Sequence, residues 1–184
     1  LNAHLRPLGL MFAPDVSTSD RATIGGMIGN NSAGARSLRF GKTVDHVEAV
    51  EVILADGTEA RFQPVSEAEL SSLCSRTDRL GTIYSTVREA VARHREEIAA
   101  RFPRILRRVS GYNLDEFVPG LPIRPDGWPD EPWAFNLARL IVGSEGQLGI
   151  GASGDEVLAP TAVANATTGA ALVFADLEAG AAHT

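Results

Sequence analysis

The residue types best suited to chemistry crowd into one stretch, Ala22-Thr-Ile-Gly25-Gly26-Met-Ile-Gly29-Asn30-Asn31-Ser32-Ala33-Gly34-Ala35-Arg36-Ser-Leu-Arg39-Phe-Gly41-Lys42-Thr43. Glycines let a backbone approach a ligand closely and let successive N–H groups converge on phosphate oxygens, while Thr, Ser and Asn add donors. From Arg21 to Lys42 there are four cations and no acid, inside a chain of net charge -6, so the stretch is locally attractive to an anion. The chemistry this predicts is phosphate binding. Two familiar cradles fail on spacing. A Walker A loop needs Gly-x-x-x-x-Gly-Lys-Ser/Thr, but Gly29 to Gly34 runs on into Ala35-Arg36, and Gly41-Lys42-Thr43 has Arg36 where the first glycine belongs. A dinucleotide fingerprint needs Gly-x-Gly-x-x-Gly directly after a strand, whereas Gly25-Gly26-x-x-Gly29 comes after a turn-rich segment. Glycines serving only turns and close packing are the alternative reading.

A second group is Arg107, Arg108, Ser110 and Tyr112, which sit together beside Gly111. Surface arginines before a turn, and a tyrosine packed through its ring, are the plain alternatives. His4, His46, His94 and His183 lack ligand spacing, so no metal site is expected. Cys74 is the sole cysteine, which excludes a disulfide framework, a multi-cysteine zinc site and a cysteine-ligated cluster within the chain. Glu145 lies in a glycine loop, where hydrogen bonding to that loop is the expected role. The sequons at Asn30 and Asn165 come without a secretory context and are discounted.

These side chains need elements to hold them. Leu1 to Leu10 reads as a helix ending at Gly9, and Pro14 to Asp20 as turns. Val47–Leu54, Ala55-Asp56-Gly57-Thr58 and Glu59–Phe62 predict a hairpin. Ser66-Glu-Ala-Glu69 has capping-box spacing for a helix toward Cys74. Ile83, Val87, Val91 and Ile98 form a stripe over a helix from about Thr82 to Arg101, whose arginines alternate with glutamates and so describe a solvated face. The prolines from 119 to 132 predict a long loop, Ala134 to Ile141 a helix, and Gln147 to Ile150 the approach to a strand. Ala170 to Ala175 predicts a strand, with Asp176 as the N-cap of a closing helix. The chain of 184 residues, 44% hydrophobic and 22% charged, is long enough for a real core. Its acidity argues against nucleic acid, and no apolar run is long enough to span a membrane. Starting at Leu1 without a leader and ending in Asp176-Leu-Glu-Ala-Gly-Ala-Ala-His-Thr184, it reads as a piece of something longer.

In order and spacing these segments resemble the FAD-linked oxidases with a vanillyl-alcohol-oxidase (PCMH) type flavin domain, above all bacterial D-lactate, glycolate and D-2-hydroxyglutarate dehydrogenase-like enzymes. The carriers are Pro14-Asp15-Val-Ser17 with Ala22-Thr-Ile-Gly-Gly26, Asn30-Asn-Ser-Ala-Gly34, Arg39-Phe-Gly41 with Asp45 and Val47, the hairpin strand through Gly57, Ser110-Gly-Tyr-Asn-Leu114, and Val142-Gly-Ser-Glu-Gly-Gln-Leu-Gly-Ile150. The resemblance implies an α+β fold with a mostly antiparallel sheet flanked by helices. It makes residues 1–158 the second subdomain of the FAD-binding domain and residues 159–184 the start of a substrate-binding cap. It implies FAD contacts from Pro14, Asp15, Ser17, Ala22, Thr23, Gly25, Gly26, Asn30, Ser32, Gly34 and Ala35, with Gly143, Glu145, Gly146, Gly149 and Ile150 closing over the cofactor. Arg107, Arg108, Ser110 and Tyr112 would approach a small 2-hydroxy acid; no catalytic residue is assigned.

The activity implied for the full-length enzyme is oxidation of that acid to the 2-oxo acid by hydride transfer to flavin N5, the piece alone being inactive. The implied setting is cytoplasmic, at most peripheral to a membrane, with exposed apolar surface favouring a homo-oligomer. A non-catalytic phosphate- or nucleotide-binding module is the alternative. The chain departs from the family pattern at Gln147, where Thr is usual, at Ser32-Ala33, often Ala-Gly, and after Ile150, where a Glu-containing strand would come next.

Overall fold

The computed structural model describes residues 1–125, 134–145, 147–148, 150–151, 170–172 and 175–176. The expected first helix is a single α turn, α1 (Asn2–Leu5), tightening into a 3₁₀ turn over Arg6–Leu8. Gly9 stops it in the left-handed conformation at φ 71° and delivers the chain to a short strand, β1 (Leu10–Met11). Asn2 ties this start down, donating to Phe12 O at 3.0 Å and accepting from Phe12 N at 2.7 Å. Beyond the turns at 17–21 lie two short helices, α2 (Ile24–Gly29) and α3 (Ser37–Phe40). Leu5, Phe12, Val16 and Met27 make a small apolar cluster of their own under this segment.

The expected hairpin is the spine of the fold. Its first strand, β2 (Val47–Ile53), buries Val47, Ala49, Val50 and Val52 and leaves Glu48 and Glu51 exposed. It pairs antiparallel with β3 (Glu59–Phe62), with Val50 opposite Phe62 and Val52 opposite Ala60. Asp56 shapes the turn by accepting from Thr58 N at 3.0 Å.

The capping box at Ser66 starts α4 (Glu67–Cys74) as its spacing predicts: Ser66 Oγ accepts from Glu69 N, and the Glu69 carboxylate accepts from Ser66 N at 2.8 Å. The long helix differs from expectation at both ends. Asp78 caps it by accepting from Gly81 N at 2.9 Å, so α5 (Arg79–Arg93) begins ahead of Thr82. It then breaks at His94 before α6 (Arg95–Arg101), a re-aiming that leaves Ile98 as the buried residue of the second piece. Of the expected stripe on α5, Val91 is buried while Ile83 and Val87 are partly covered, and Tyr84, outside that stripe, is buried as well.

The proline-rich loop is irregular through Pro125, preceded by a 3₁₀ turn over Leu114–Phe117; its later residues lie outside the described ones. Between Ala134 and Ile141 only α7 (Ala138–Ile141) is helical. Phe135 instead lies extended, its carbonyl accepting from Val65 N at 3.0 Å, with its ring 4.9 Å from that of Phe117. Asn136 reaches Glu48 O at 2.7 Å and caps Ala138 N at 2.9 Å. Tertiary contacts with β2 thus replace the first helical turn. The far side of β2 is covered by β4 (Ile150–Gly151) against Val52 and Ile53, and by β5 (Ala170–Leu172) against Val47 to Val50, both antiparallel. The expected strand at 170–175 is divided: β6 (Ala175–Asp176) pairs with β1 instead, and Asp176, expected as a helix cap, sits opposite Leu10. Residues 177–184 lie outside the described ones. The result is an α+β arrangement with a small antiparallel sheet whose core joins β2 and β3 to Leu70, Tyr84, Phe117 and Leu137.

Candidate functional site

The glycine-rich stretch becomes a helix start and then a tight loop. Thr23 is the cap of α2, its hydroxyl accepting from Gly26 N at 3.1 Å. The first turn of any helix leaves N–H groups with no partner in the helix, here at Ile24 and Gly25. After α2 the loop turns at Asn31, whose φ of 46° is rare for a residue with a side chain. Asn31 is fully buried and its Oδ1 accepts from Val44 N at 3.0 Å, locking the turn to the start of the sheet. Ser32 O accepts from both Thr43 N and Thr43 Oγ1, at 3.0 and 2.8 Å.

Gly34 sits flat on the Pro14–Val16 segment. A Cβ placed there would lie 1.7 Å from Asp15 O, and Ala35 N donates to that same oxygen at 3.2 Å. The loops at 14–17 and 30–35 are therefore one surface, held by backbone contact that only glycine permits.

A loop more than a hundred residues later completes it. Gly143 N donates to Ile28 O at 2.9 Å and Glu145 N to Gly29 O at 3.0 Å, so the end of α2 carries the 143–145 loop. Gly143 has φ 87°, and a Cβ on it would meet Asn31 Cβ at 3.2 Å. Asn113, fully buried, joins the pieces: its Nδ2 donates to Val142 O at 2.7 Å and Arg139 O at 3.0 Å, and its Oδ1 faces Asn31 Nδ2 at 3.5 Å. Three sequence motifs, around Gly25, Asn113 and Gly143, converge at one place.

The expected cofactor residues differ in exposure. Pro14, Gly25 and Gly34 are buried; Ala22, Thr23, Gly26, Ser32 and Gly143 are half-buried; Asp15, Ser17, Asn30, Ala35 and Glu145 are exposed. Glu145 has φ 51°. Ile150 is in β4, opposite Ile53, while Gly146 and Gly149 lie outside the described residues. The cation excess is smaller in space than in sequence. Arg21 pairs with Asp20 at 3.2 Å, Arg36 with Asp15 at 3.5 Å, and Lys42 is buried.

Of the expected substrate residues, Arg107 and Ser110 are exposed. Tyr112 is partly exposed, its hydroxyl donating to Gln147 Oε1 at 2.7 Å. Arg108 is buried, with its guanidinium occupied by Asp115, by Asn113 Oδ1 at 3.2 Å and by Ser110 O at 3.2 Å. Its carbon lies 5.0 Å over the Phe102 ring. That geometry orients the 110–113 turn and leaves little of Arg108 for another carboxylate.

Sequence reasoning missed a buried ionic cluster beside this turn. Arg124 holds Glu116 with two bonds of 3.0 and 2.6 Å, Arg139 Nη1 reaches Glu116 Oε2 at 2.9 Å, and Arg124 Nη1 lies 3.1 Å from Asp45 Oδ1. Burial by itself would raise the Glu116 carboxyl, but Arg124, Arg139 and Lys42 outweigh it and hold the group below its ordinary value. Nothing in the spacing of residues 45, 116, 124 and 139 announces the cluster. Asn31 was in principle findable, since an Asn at a left-handed turn is a recurring device; Asn113, at φ -84°, gives no such signal.

Residues 1–63 match the family model described as an FAD binding domain. Over 149 residues, 81% of this chain, the sequence is 38% identical to the D-2-hydroxyglutarate dehydrogenase of Pseudomonas putida, and over 148 residues, 80% of the chain, 38% identical to that of Escherichia coli. The chain matches a fragment of an FAD-linked oxidase. A shorter match, 49% over 49 residues and 27% of the chain, is to a glycolate oxidase subunit of Bacillus subtilis, of which it covers 10%. The chain spans about 14% of the length of the two dehydrogenases. No solved structure matches it. The family's cofactor is FAD, and the matched residues 1–63 contain both loops joined at Gly34. The described residues fit such a group: a capped helix start, small residues on the adjoining loop, and no acidic side chain between Arg21 and Lys42.

Proposed function

We propose that the chain supplies one wall of the FAD site of a flavin-dependent dehydrogenase that oxidises a small 2-hydroxy acid of the D-2-hydroxyglutarate, glycolate or D-lactate type to the 2-oxo acid. The carrying observation is the convergence of α2, the Asn113 turn and the Gly143 loop, joined by Gly143 N to Ile28 O and Glu145 N to Gly29 O. Residues 1–158 would form the second FAD-binding subdomain, with residues 159–184 opening the cap.

When bound, FAD supplies the hydride acceptor. The chain's own residues bind and orient it. The first-turn N–H groups of α2 and the backbone at Gly25 and Gly26 would meet the diphosphate, with Ala22 and Thr23 beside them. Asn30, Ser32, Gly34 and Ala35 would line the same surface together with Pro14, Asp15 and Ser17, while Gly143, Glu145, Gly146, Gly149 and Ile150 close it. Arg107, Ser110 and Tyr112 would be the substrate-side groups, and Arg108 holds the turn that presents Ser110 and Tyr112.

The test is Gly26→Asp in the intact enzyme that carries this segment. A carboxylate at the half-buried Gly26 crowds and repels the diphosphate, so the purified, folded variant should lose its flavin absorbance. Full flavin content in that variant would overturn the reading.

A further inference from the structure

We propose that Tyr112 and Gln147 together form a two-point receiver for the head of a 2-hydroxy acid, its O–H and its carboxylate, with Gln147 setting the direction of the Tyr112 hydroxyl. This rests on the flavin reading above and names the groups of that site that tell a hydroxy acid from other carboxylates. Gln147 lies on the loop that continues from Gly143 and Glu145, and its backbone N–H donates to Ser144 O at 3.0 Å, closing a tight turn.

The two loops come from separate parts of the chain, and each is fixed from the buried side. Asn113 donates to Val142 O and Arg139 O, and Arg108 donates to Ser110 O. On the open side the Tyr112 hydroxyl donates to Gln147 Oε1 at 2.7 Å, joining residues 35 positions apart. Both side chains reach solvent, Tyr112 with 36% exposure, beside the surface that α2 shares with the 143–145 loop. A hydrogen bond made at such a surface adds little to folding, because water offers nearly as good a partner. Its consequence is in what it leaves available.

A phenol has one hydrogen and two lone pairs. With the hydrogen committed to Gln147, the Tyr112 oxygen can only accept. The Gln147 amide, accepting through Oε1, keeps two N–H donors on the same carbon, and among the described residues Nε2 has no partner. An acceptor and a pair of donors thus stand side by side. A 2-hydroxy acid carries the complement of that pattern on adjacent carbons, a hydroxyl hydrogen to give and a carboxylate to receive. A plain carboxylic acid lacks the hydrogen, and the 2-oxo acid has lost it, so the pair holds substrate by one bond more than product. Arg108 leaves this role open, its guanidinium being taken up by Asp115, Asn113 and Ser110.

The experiment uses the intact enzyme, reduced beforehand with dithionite so that no hydride can pass and the acid binds without turnover. Calorimetry gives the Kd of D-2-hydroxyglutarate and of glutarate, which differs only in lacking the hydroxyl. Tyr112→Phe should weaken the hydroxy acid roughly five- to tenfold, the size of one hydrogen bond, and leave glutarate unchanged. Gln147→Thr, whose hydroxyl stands two carbons nearer the backbone, should weaken both acids, and its effect should be non-additive with Tyr112→Phe. Gln147→Glu still accepts from Tyr112 but sets a negative charge where the carboxylate docks, so both acids should lose on the order of tenfold or more. A purely structural clasp would survive that last change. Equal weakening of both acids by Tyr112→Phe, or wild-type binding by Gln147→Glu, would overturn the proposal and leave the flavin reading intact. An intact enzyme that carries no flavin would overturn that reading, and this proposal with it.

Discussion

Replacing Gly34 with alanine puts a methyl carbon 1.7 Å from Asp15 O, 2.1 Å from Asp15 C and 2.7 Å from Val16 N. All three are backbone atoms, so no side chain can swing aside. Restoring even a 3.0 Å contact requires the two loops to part by about 1.3 Å. The Ala35 N to Asp15 O bond, now 3.2 Å, would then stretch beyond hydrogen-bond length. Overpacking of this kind costs about 3 kcal/mol, at the upper end of its usual range because both sides are main chain. For a protein of this size that corresponds to a fall in thermal midpoint of roughly 6 to 12 °C. Thermal unfolding monitored by circular dichroism measures it, with flavin content as a second readout, since the loops at 14–17 and 30–35 would no longer present one surface. The matched control is Gly29→Ala, at the last residue of α2, where a Cβ meets nothing within 4 Å. Alanine there should be neutral or stabilising by up to about 1 kcal/mol. An unchanged midpoint for Gly34→Ala, or an equal loss for Gly29→Ala, would refute the claim that close backbone approach fixes this glycine.

Two further expectations concern the buried polar groups. Asn113→Ala leaves the carbonyls of Val142 and Arg139 without the Asn113 amide and should cost on the order of 3 kcal/mol in urea unfolding, with loss of flavin from the intact enzyme as the 143–145 loop detaches; retention of both would show that the amide does not tie the loops. Glu116→Gln removes the charge that Arg124 and Arg139 share and should cost about 3–5 kcal/mol. The same carboxyl sets a pH signature. Its folded value is held below the ordinary 4.5, so its contribution is complete above pH 4.5 and is lost as pH falls through the depressed value. Wild-type stability should therefore decline over that acid window more steeply than that of Glu116→Gln, and parallel curves would count against the pairing.

What the sequence determined by itself was local. The hairpin at Val47 to Phe62, the capping box at Ser66 and the left-handed stop at Gly9 each rest on residues within a few positions of one another, so their physics is complete in a short window. The ordered motifs also carried the family, because each has a recognisable text. Where long-range contacts compete with local preference, the sequence misled. Phe135 and Asn136 are extended because Val65, Phe117 and Glu48 claim them, and β6 leaves the run at 170 to pair with β1. The site was legible as segments and illegible as an assembly. The resemblance points to Asn30 as a cofactor-facing residue, while the neighbouring Asn31 proves to be the buried joint, a difference of one residue decided by a backbone φ of 46°. Arg108 has the text of a carboxylate-binding arginine, and burial beside Asp115 has already supplied its carboxylate. Lys42, Asp45, Glu116, Arg124 and Arg139 carry no shared spacing at all. Only folding, by removing water from charges some eighty residues apart along the chain, makes them one group.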